Sequence, residues 1–245
     1  MTRSKDECAV VSGHQPNFFP WFGYFEKMAK SDVFVFSDDV KYPKQCYVNR
    51  VTIPVGGGSA YLTLPVSKGN DQRIADKKYV KSEKELNKIL KTINLNLSGM
   101  PYSHELAPIC EELASIYFLY SSVAEINIHM NMYIASLLGI DVEFKKGTEL
   151  GLEAFHKNER LIRRCEVLGS SVYLSGQGAD GYQDESLLNQ AGIELRKVEY
   201  DIGKALLGPD LQHSILVAIA RKGAACLKQA IRAQTVGLRN ESSIY

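Results

Sequence analysis

The sequence predicts an α/β protein, with a largely parallel Rossmann-like sheet and a helical subdomain inserted in the middle. Three observations lead there. Short apolar runs bounded by polar turns occur towards both ends of the chain. Stretches with apolar residues three and four positions apart, the spacing of a helix, alternate with them. Between the two alternating regions lies a block, 82–140, in which only the helical spacing is found. Alternation of strand and helix is the pattern of βαβ units and a parallel sheet, so the expected organisation is one α/β domain over 1–245 with 82–140 as its helical subdomain.

Taken in order, Ala9-Val10-Val11 reads as a buried strand that stops at Gly13. The polar turn His14-Gln15-Pro16-Asn17 follows, and then Trp21, Tyr24, Phe25 and Met28 fall at helical spacing. Val33-Phe34-Val35-Phe36 is a second strand, ending in Ser37-Asp38-Asp39. Residues 45–53 read as a strand or hairpin arm that ends at Pro54, and 61–64 alternate as its partner would. Gly56-Gly57-Gly58 between them is a hairpin tip and not a phosphate loop, because no Gly-Lys-Ser/Thr and no helix follow. The polar stretch 67–76 is a loop and a candidate lid.

Ser82 and Glu85 form a capping-box pattern for a helix that ends at Ser98-Gly99, with Pro101 beyond. Two more helices cover 103–119 and 122–138, and their apolar stripes read as core. His104 and His129 lie in these helices without a partner at metal spacing. The α/β rhythm then returns, with a strand at 142–144, a helix at 156–168 bearing Arg160, Arg163 and Arg164, and the strand Val172-Tyr173-Leu174-Ser175. A glycine-rich turn, 176–181, leads to a short helix and a strand at 193–200, and a last helix covers 211–233.

Composition narrows the function classes. Hydrophobic residues are 45% and charged residues 23%, as in ordinary globular proteins, and the formal net charge of +1 gives no field for duplex nucleic acid or an anionic membrane. No apolar stretch approaches the roughly 20 residues of a membrane span, and the polar N-terminus lacks the apolar core of a signal peptide. The cysteines at 8, 46, 110, 165 and 226 include no C-x-x-C pair, which points to reduced thiols in the cytoplasm and against a zinc site.

In parallel sheets ligands bind outside the carboxyl ends of the strands. His14 follows one strand, Asp38 and Asp39 the next, and the turn Gly176 to Asp180 a third. These ends would share one rim, and the turn at His14 leads into a helix N-terminus, which attracts anions. The plainer alternative is that His14 caps the helix and Asp38 and Asp39 begin an ordinary turn.

These residues carry a resemblance. The opening segment resembles the signature of the WbqC-like family of bacterial proteins. Its parts are His14-Gln15-Pro16, Pro20-Trp21-Phe22-Gly23-Tyr24, Asp32-Val33-Phe34-Val35, Asp38-Asp39 and Asn49-Arg50. A second similar block runs from Arg160-Leu161 through Tyr173-Leu174-Ser175-Gly176 to Gly178-Ala179 and Tyr182. At the C-terminus the family's Ser-Ile-hydrophobic-Asp-Leu-Leu reads Ser214-Ile215-Leu216-Val217-Ala218-Ile219, without the Asp.

The resemblance implies a setting in surface-polysaccharide (O-antigen) synthesis and transfer of a small acyl or aminoacyl group, such as glycyl, to a nucleotide-linked amino sugar. The first block also resembles, loosely, nucleotidyltransferases of the HIGH type, although the second His of that pattern is absent. On this reading His14 is a general base, and Asp38 or Asp39 orients it or binds a sugar hydroxyl. Asn49 and Arg50 bind phosphate or carboxylate, and Trp21 and Tyr24 offer a stacking face. Gln15, Asn17, Ser175, Gly176, Gly178 and Asp180 complete the substrate site. The implied partner is a small molecule, a nucleotide-linked sugar, with ATP as an alternative nucleotide and no metal. An adenylating enzyme and a non-catalytic nucleotide-sugar-binding protein of the same pathway are the other readings.

Overall fold

Five short strands, apolar at the centre and charged at the two edges, build a parallel sheet: β1 (Val10–His14), β2 (Val33–Phe36), β5 (Glu143–Lys146), β6 (Val172–Ser175) and β7 (Glu194–Lys197). Their order is β5-β2-β1-β6-β7, and every neighbouring pair is parallel. The structure, a computed structural model, describes residues 9–44, 46–69, 72–177 and 183–241. The fold is a mixed α/β, Rossmann-like one with a parallel five-stranded sheet. The order reverses at β1: the chain first adds β2 and β5 on one side, then β6 and β7 on the other. That reversal is a topological switch point, where open α/β sheets leave a crevice at the carboxyl ends of the strands.

The chain divides into two compact units. The first holds the sheet and is made of the segment up to Gln15, Lys27–Val40 and Asp141–Glu199. Its core packs Val11, Val33, Val35 and Tyr173 of the sheet against Cys165 of α5 (Lys157–Val167) and Leu188 of α6 (Glu185–Gln190). All four residues of β2 and of β6 are buried, which is why these strands read as continuous apolar runs and not as alternating ones.

The second unit comprises Pro16–Glu26, Lys41–Ile140 and the chain from Tyr200 on. It contains the antiparallel hairpin β3 (Arg50–Val55) and β4 (Gly58–Thr63). The helices α2 (Glu83–Leu97), α3 (Leu106–Tyr117) and α4 (Val123–Leu137) also belong to it. So do α7 (Asp201–Leu207), α8 (Ile215–Lys222) and α9 (Ala224–Glu241). The helix α1 (Phe22–Ala29) carries the chain from this unit back to the first.

In unit two a buried asparagine joins separate segments. Asn127 Nδ2 donates to Pro16 O at 2.8 Å and Val48 O at 2.7 Å, and its Oδ1 accepts from the Tyr79 hydroxyl at 2.9 Å. Phe19 takes a left-handed backbone, φ 42°, immediately before Pro20, a conformation that a bulky residue keeps only under external restraint. The Ser214 hydroxyl supplies part of that restraint by donating to Phe19 O at 3.0 Å, and Ile215 N–H donates to Pro20 O at 2.8 Å.

Several element boundaries differ from those read in the sequence. β1 continues through Gly13 to His14, which pairs with Phe36. β3 does not end at Pro54. Pro54 lies within it opposite Ser59, in a two-stranded sheet where every strand has an open edge. Ser82 caps α2 at Glu85 N–H, but the reciprocal capping box is found at Ser122 and Glu125 on α4. α7 lies where none was expected, and the single C-terminal helix is two, broken at Gly223 with φ 77°. Among the described residues no helix is long and apolar enough to cross a membrane.

Candidate functional site

The carboxyl ends of β1 and β2 gather the buried charged side chains of unit one. The backbone ties the two ends together, Ser37 N–H donating to His14 O at 2.8 Å. His14 closes β1 and is half-buried. Its Nδ1 lies 3.2 Å from Gln15 O, a carbonyl that can only accept, so this contact needs a proton on Nδ1. Burial, and then the charge of Lys27, lower its pKa to about 4, so the imidazole is neutral at physiological pH.

Asp38 and Asp39 are both buried, and both are engaged. Asp38 accepts the backbone N–H and the hydroxyl of Thr148, each at 2.9 Å. Asp39 forms an ion pair with Arg160, whose other nitrogen donates to Leu152 O and Phe155 O. Asp39 Oδ1 is buried without a hydrogen-bond partner among the described residues. Gly147 is required beside it, because a Cβ there would overlap the Asp39 carboxylate.

Two cations complete the cluster, and sequence reasoning gave neither of them a role. Arg164, only 2% exposed, donates to the Ser37 hydroxyl at 2.9 Å and reaches the Tyr173 hydroxyl at 3.4 Å, while its Nε has no partner among the described residues. Its guanidinium lies so close against Gly13 that a Cβ on that residue would overlap it. Lys27, 4% exposed, donates its ammonium to Gly13 O at 2.7 Å. Burial, and then the charge of Arg164, lower its pKa to about 7. Among the described residues no carboxylate bonds to either cation. A buried cation without a counter-charge is costly, and a guanidinium accepts a carboxylate or phosphate through two parallel bonds. The cluster can therefore bind an anion, and it contains an amine able to exchange a proton near pH 7.

Ser175 ends β6, the parallel neighbour of β1. Its hydroxyl donates to Gln183 Oε1 at 2.6 Å, and Gly176 follows half-buried. Gly178 and Asp180 lie outside the described residues.

The remaining candidates belong to unit two. Asn17 and Tyr24 are buried, and Asn17 O accepts from Asn131 Nδ2 at 3.2 Å. Trp21 packs edge-on to Tyr200 with ring centroids 4.7 Å apart. Asn49 accepts from the Tyr42 hydroxyl at 2.8 Å and donates to Leu64 O at 2.9 Å. The Arg50 guanidinium sits 4.2 Å from the Tyr61 ring centroid. Among the described residues no group of three or more His, Cys, Asp or Glu is placed to hold a metal ion.

A parallel sheet with a charged cluster at its switch point is an arrangement in which α/β proteins bind small molecules. The chain belongs to the WbqC-like protein family, whose sequence model matches residues 15–204. It is similar to Uncharacterized protein Rv1507c of Mycobacterium tuberculosis, 28% identical over 190 residues, which are 76% of this chain and 80% of that protein. No solved structure matches the chain significantly.

Proposed function

We propose that the protein is a cytoplasmic transferase that moves a small acyl or aminoacyl group, such as glycyl, to the amine of a nucleotide-linked amino sugar in surface-polysaccharide synthesis. One observation carries the reading: Arg164, a buried cation that among the described residues is bonded to no carboxylate, beside Lys27, an amine balanced near half-protonation at pH 7. Arg164 holds a carboxylate or phosphate oxygen of the substrates. Lys27 takes the proton that the sugar amine loses as its nitrogen bonds to the acyl carbon, and the donor's leaving group departs with its bonding electrons. A base with a pKa near the working pH is the efficient one. His14, with a pKa of about 4, is then neutral and only a weak base. Asp38 and Asp39 hold the cluster together through Thr148 and Arg160.

The test is turnover. The purified protein is incubated with nucleotide-linked amino sugars and activated glycyl or acyl donors, and the products are read by mass spectrometry. An N-acylated nucleotide sugar is expected, and it should disappear with Lys27→Met. A second reading, a binding protein without turnover, is favoured by the engagement of both aspartates with protein groups. It predicts nucleotide-sugar binding with no new product from any donor.

A further inference from the structure

Unit two contains a second group of reactive side chains, Ser59, His213 and Asp210. Ser59 is an exposed residue of β4, close to the hairpin tip. His213 Nε2 lies 2.9 Å from the Ser59 hydroxyl, and His213 Nδ1 lies 3.1 Å from Asp210 Oδ1. An ionised carboxylate only accepts, so Nδ1 carries a proton, and in the neutral ring Nε2 then accepts from the Ser59 hydroxyl. Hydroxyl, imidazole and carboxylate stand within hydrogen-bond reach of one another in that order, the arrangement of a nucleophile, its base and the group that orients the base. The other carboxylate oxygen, Asp210 Oδ2, is held by Arg221 Nε at 3.0 Å. The imidazole and the carboxylate are largely shielded, 14% and 21% exposed, while the serine faces solvent.

Backbone bonds hold both parts in place. Gly56 and Gly57 make a two-residue turn with φ 42° and 90°, the positive values of a tight hairpin. Leu64 N–H donates to Asn49 O at 3.0 Å, and pairs in an antiparallel ladder alternate, so Val51–Leu62, Ile53–Ala60 and Val55–Gly58 are the hydrogen-bonded pairs. Pro54–Ser59 falls between them, and the Ser59 N–H therefore points outward at the open edge of β4. Thr52 has the same phase: its outward carbonyl accepts from Ser214 N–H at 2.9 Å, and its hydroxyl donates to Gln212 O at 3.2 Å. His213 is pinned between these two bonds. We infer that Ser59, His213 and Asp210 form a centre that hydrolyses short carboxylic esters, an activity beyond the proposed transfer. Ser59 Oγ bonds to the acyl carbon while His213 Nε2 takes its proton, and the carbonyl oxygen, now holding the displaced electron pair, accepts from the outward Ser59 N–H. The carbonyl reforms, the bond to the alcohol oxygen breaks with its electron pair, and the alcohol leaves with the proton from His213. Water repeats both steps on the acyl-serine, releasing the acid and restoring the Ser59 hydroxyl. Asp210 orients the imidazole and stabilises its cationic form. Tyr61, 52% exposed and on the same strand face as Ser59, offers apolar surface to the ester.

The test incubates the full chain with p-nitrophenyl acetate, follows release of p-nitrophenolate, and locates the acetyl group by peptide mass spectrometry after an acid quench. Turnover and acetyl-Ser59 are expected. Ser59→Ala should abolish both at a nearly unchanged melting temperature, because the residue is exposed. His213→Gln should slow acylation about a hundredfold or more, and Asp210→Asn should slow it by favouring the wrong tautomer of His213. Ser59→Cys should accept the acetyl group as a thioester, which a side chain that merely ties the hairpin to His213 would not do. Ser59→Ala and Ser59→Cys carry the test even if the His213 and Asp210 variants do not fold. Acetyl groups found only on lysines overturn the assignment, and so does a rate of p-nitrophenolate release that Ser59→Ala leaves unchanged. The reaction needs no nucleotide-linked acceptor. Its failure therefore leaves the proposed transferase standing, and failure of the transfer leaves ester hydrolysis standing.

Discussion

An ammonium group buried beside another cation raises the free energy of the folded state whenever it carries its proton. Lys27 therefore has a signature in pH. Its pKa is about 7 folded and 10.5 unfolded, so between these values the unfolded chain binds a proton that the folded chain lacks. Stability should rise from pH 7 to about 10, by at most about 5 kcal/mol. Urea unfolding of Lys27→Met should show this rise largely abolished, and equal slopes in the two proteins would contradict the burial of a chargeable amine. His14 acts in the same direction lower on the scale. With a folded pKa of about 4 against 6.5, stability falls as pH drops from 6.5 to 4, and His14→Gln should flatten that acid limb. Gly13→Ala places a methyl group against the Arg164 guanidinium and should cost about 1–3 kcal/mol in thermal unfolding. An unchanged melting temperature would mean that Arg164 moves away freely. The positions of His14, Asp38 and Asp39 were legible because each stands where an apolar run stops. Lys27 and Arg164 were not, because a charged residue on an amphipathic helix reads as solvent-facing. Only the strand ends, once placed, show that they are enclosed.

At the scale of elements, Asn127 shows how a polar residue can define packing. It lies among apolar residues of α4 and joins three separate segments through Pro16, Val48 and Tyr79. Asn127→Leu leaves Pro16 O unpaired, while Tyr79 and Val48 retain their own bond at 3.2 Å, so the loss should be about 2–4 kcal/mol by denaturant titration. A neutral result would show that the segments pack without this asparagine. Nothing in the apolar spacing of α4 distinguishes Asn127 from a surface residue. The central strands β2 and β6 were legible for the opposite reason, since burial on both faces gives short, nearly uninterrupted apolar runs. The break between α8 and α9 was not, because its cause is remote. Gly223 turns the chain, and Glu105, 119 residues earlier in the sequence, accepts the Ala224 N–H at 2.7 Å. Helical spacing passes through such a point unchanged. α7 is short and has a glycine at its third position, too little periodicity to register.

For the whole molecule, the order of segments matters more than any one contact. Each unit is assembled from three stretches of chain, and the backbone passes between units at Gln15, Glu26, Val40, Ile140 and Glu199. A fragment spanning 41–140 keeps the hairpin and α2–α4, but it loses Pro16, which Asn127 binds, together with Ser214 and the turn it restrains. Expressed alone, this fragment should melt without a cooperative transition by circular dichroism, and a sharp transition would show that the middle stretch is self-sufficient. The same interleaving bears on how such a gene can change. A single recombination crossover exchanges one contiguous piece, and no contiguous piece encodes either unit whole. Exchanging either half separately would take several crossovers at once, so point substitution and loop exchange are the simpler routes by which such a gene can change.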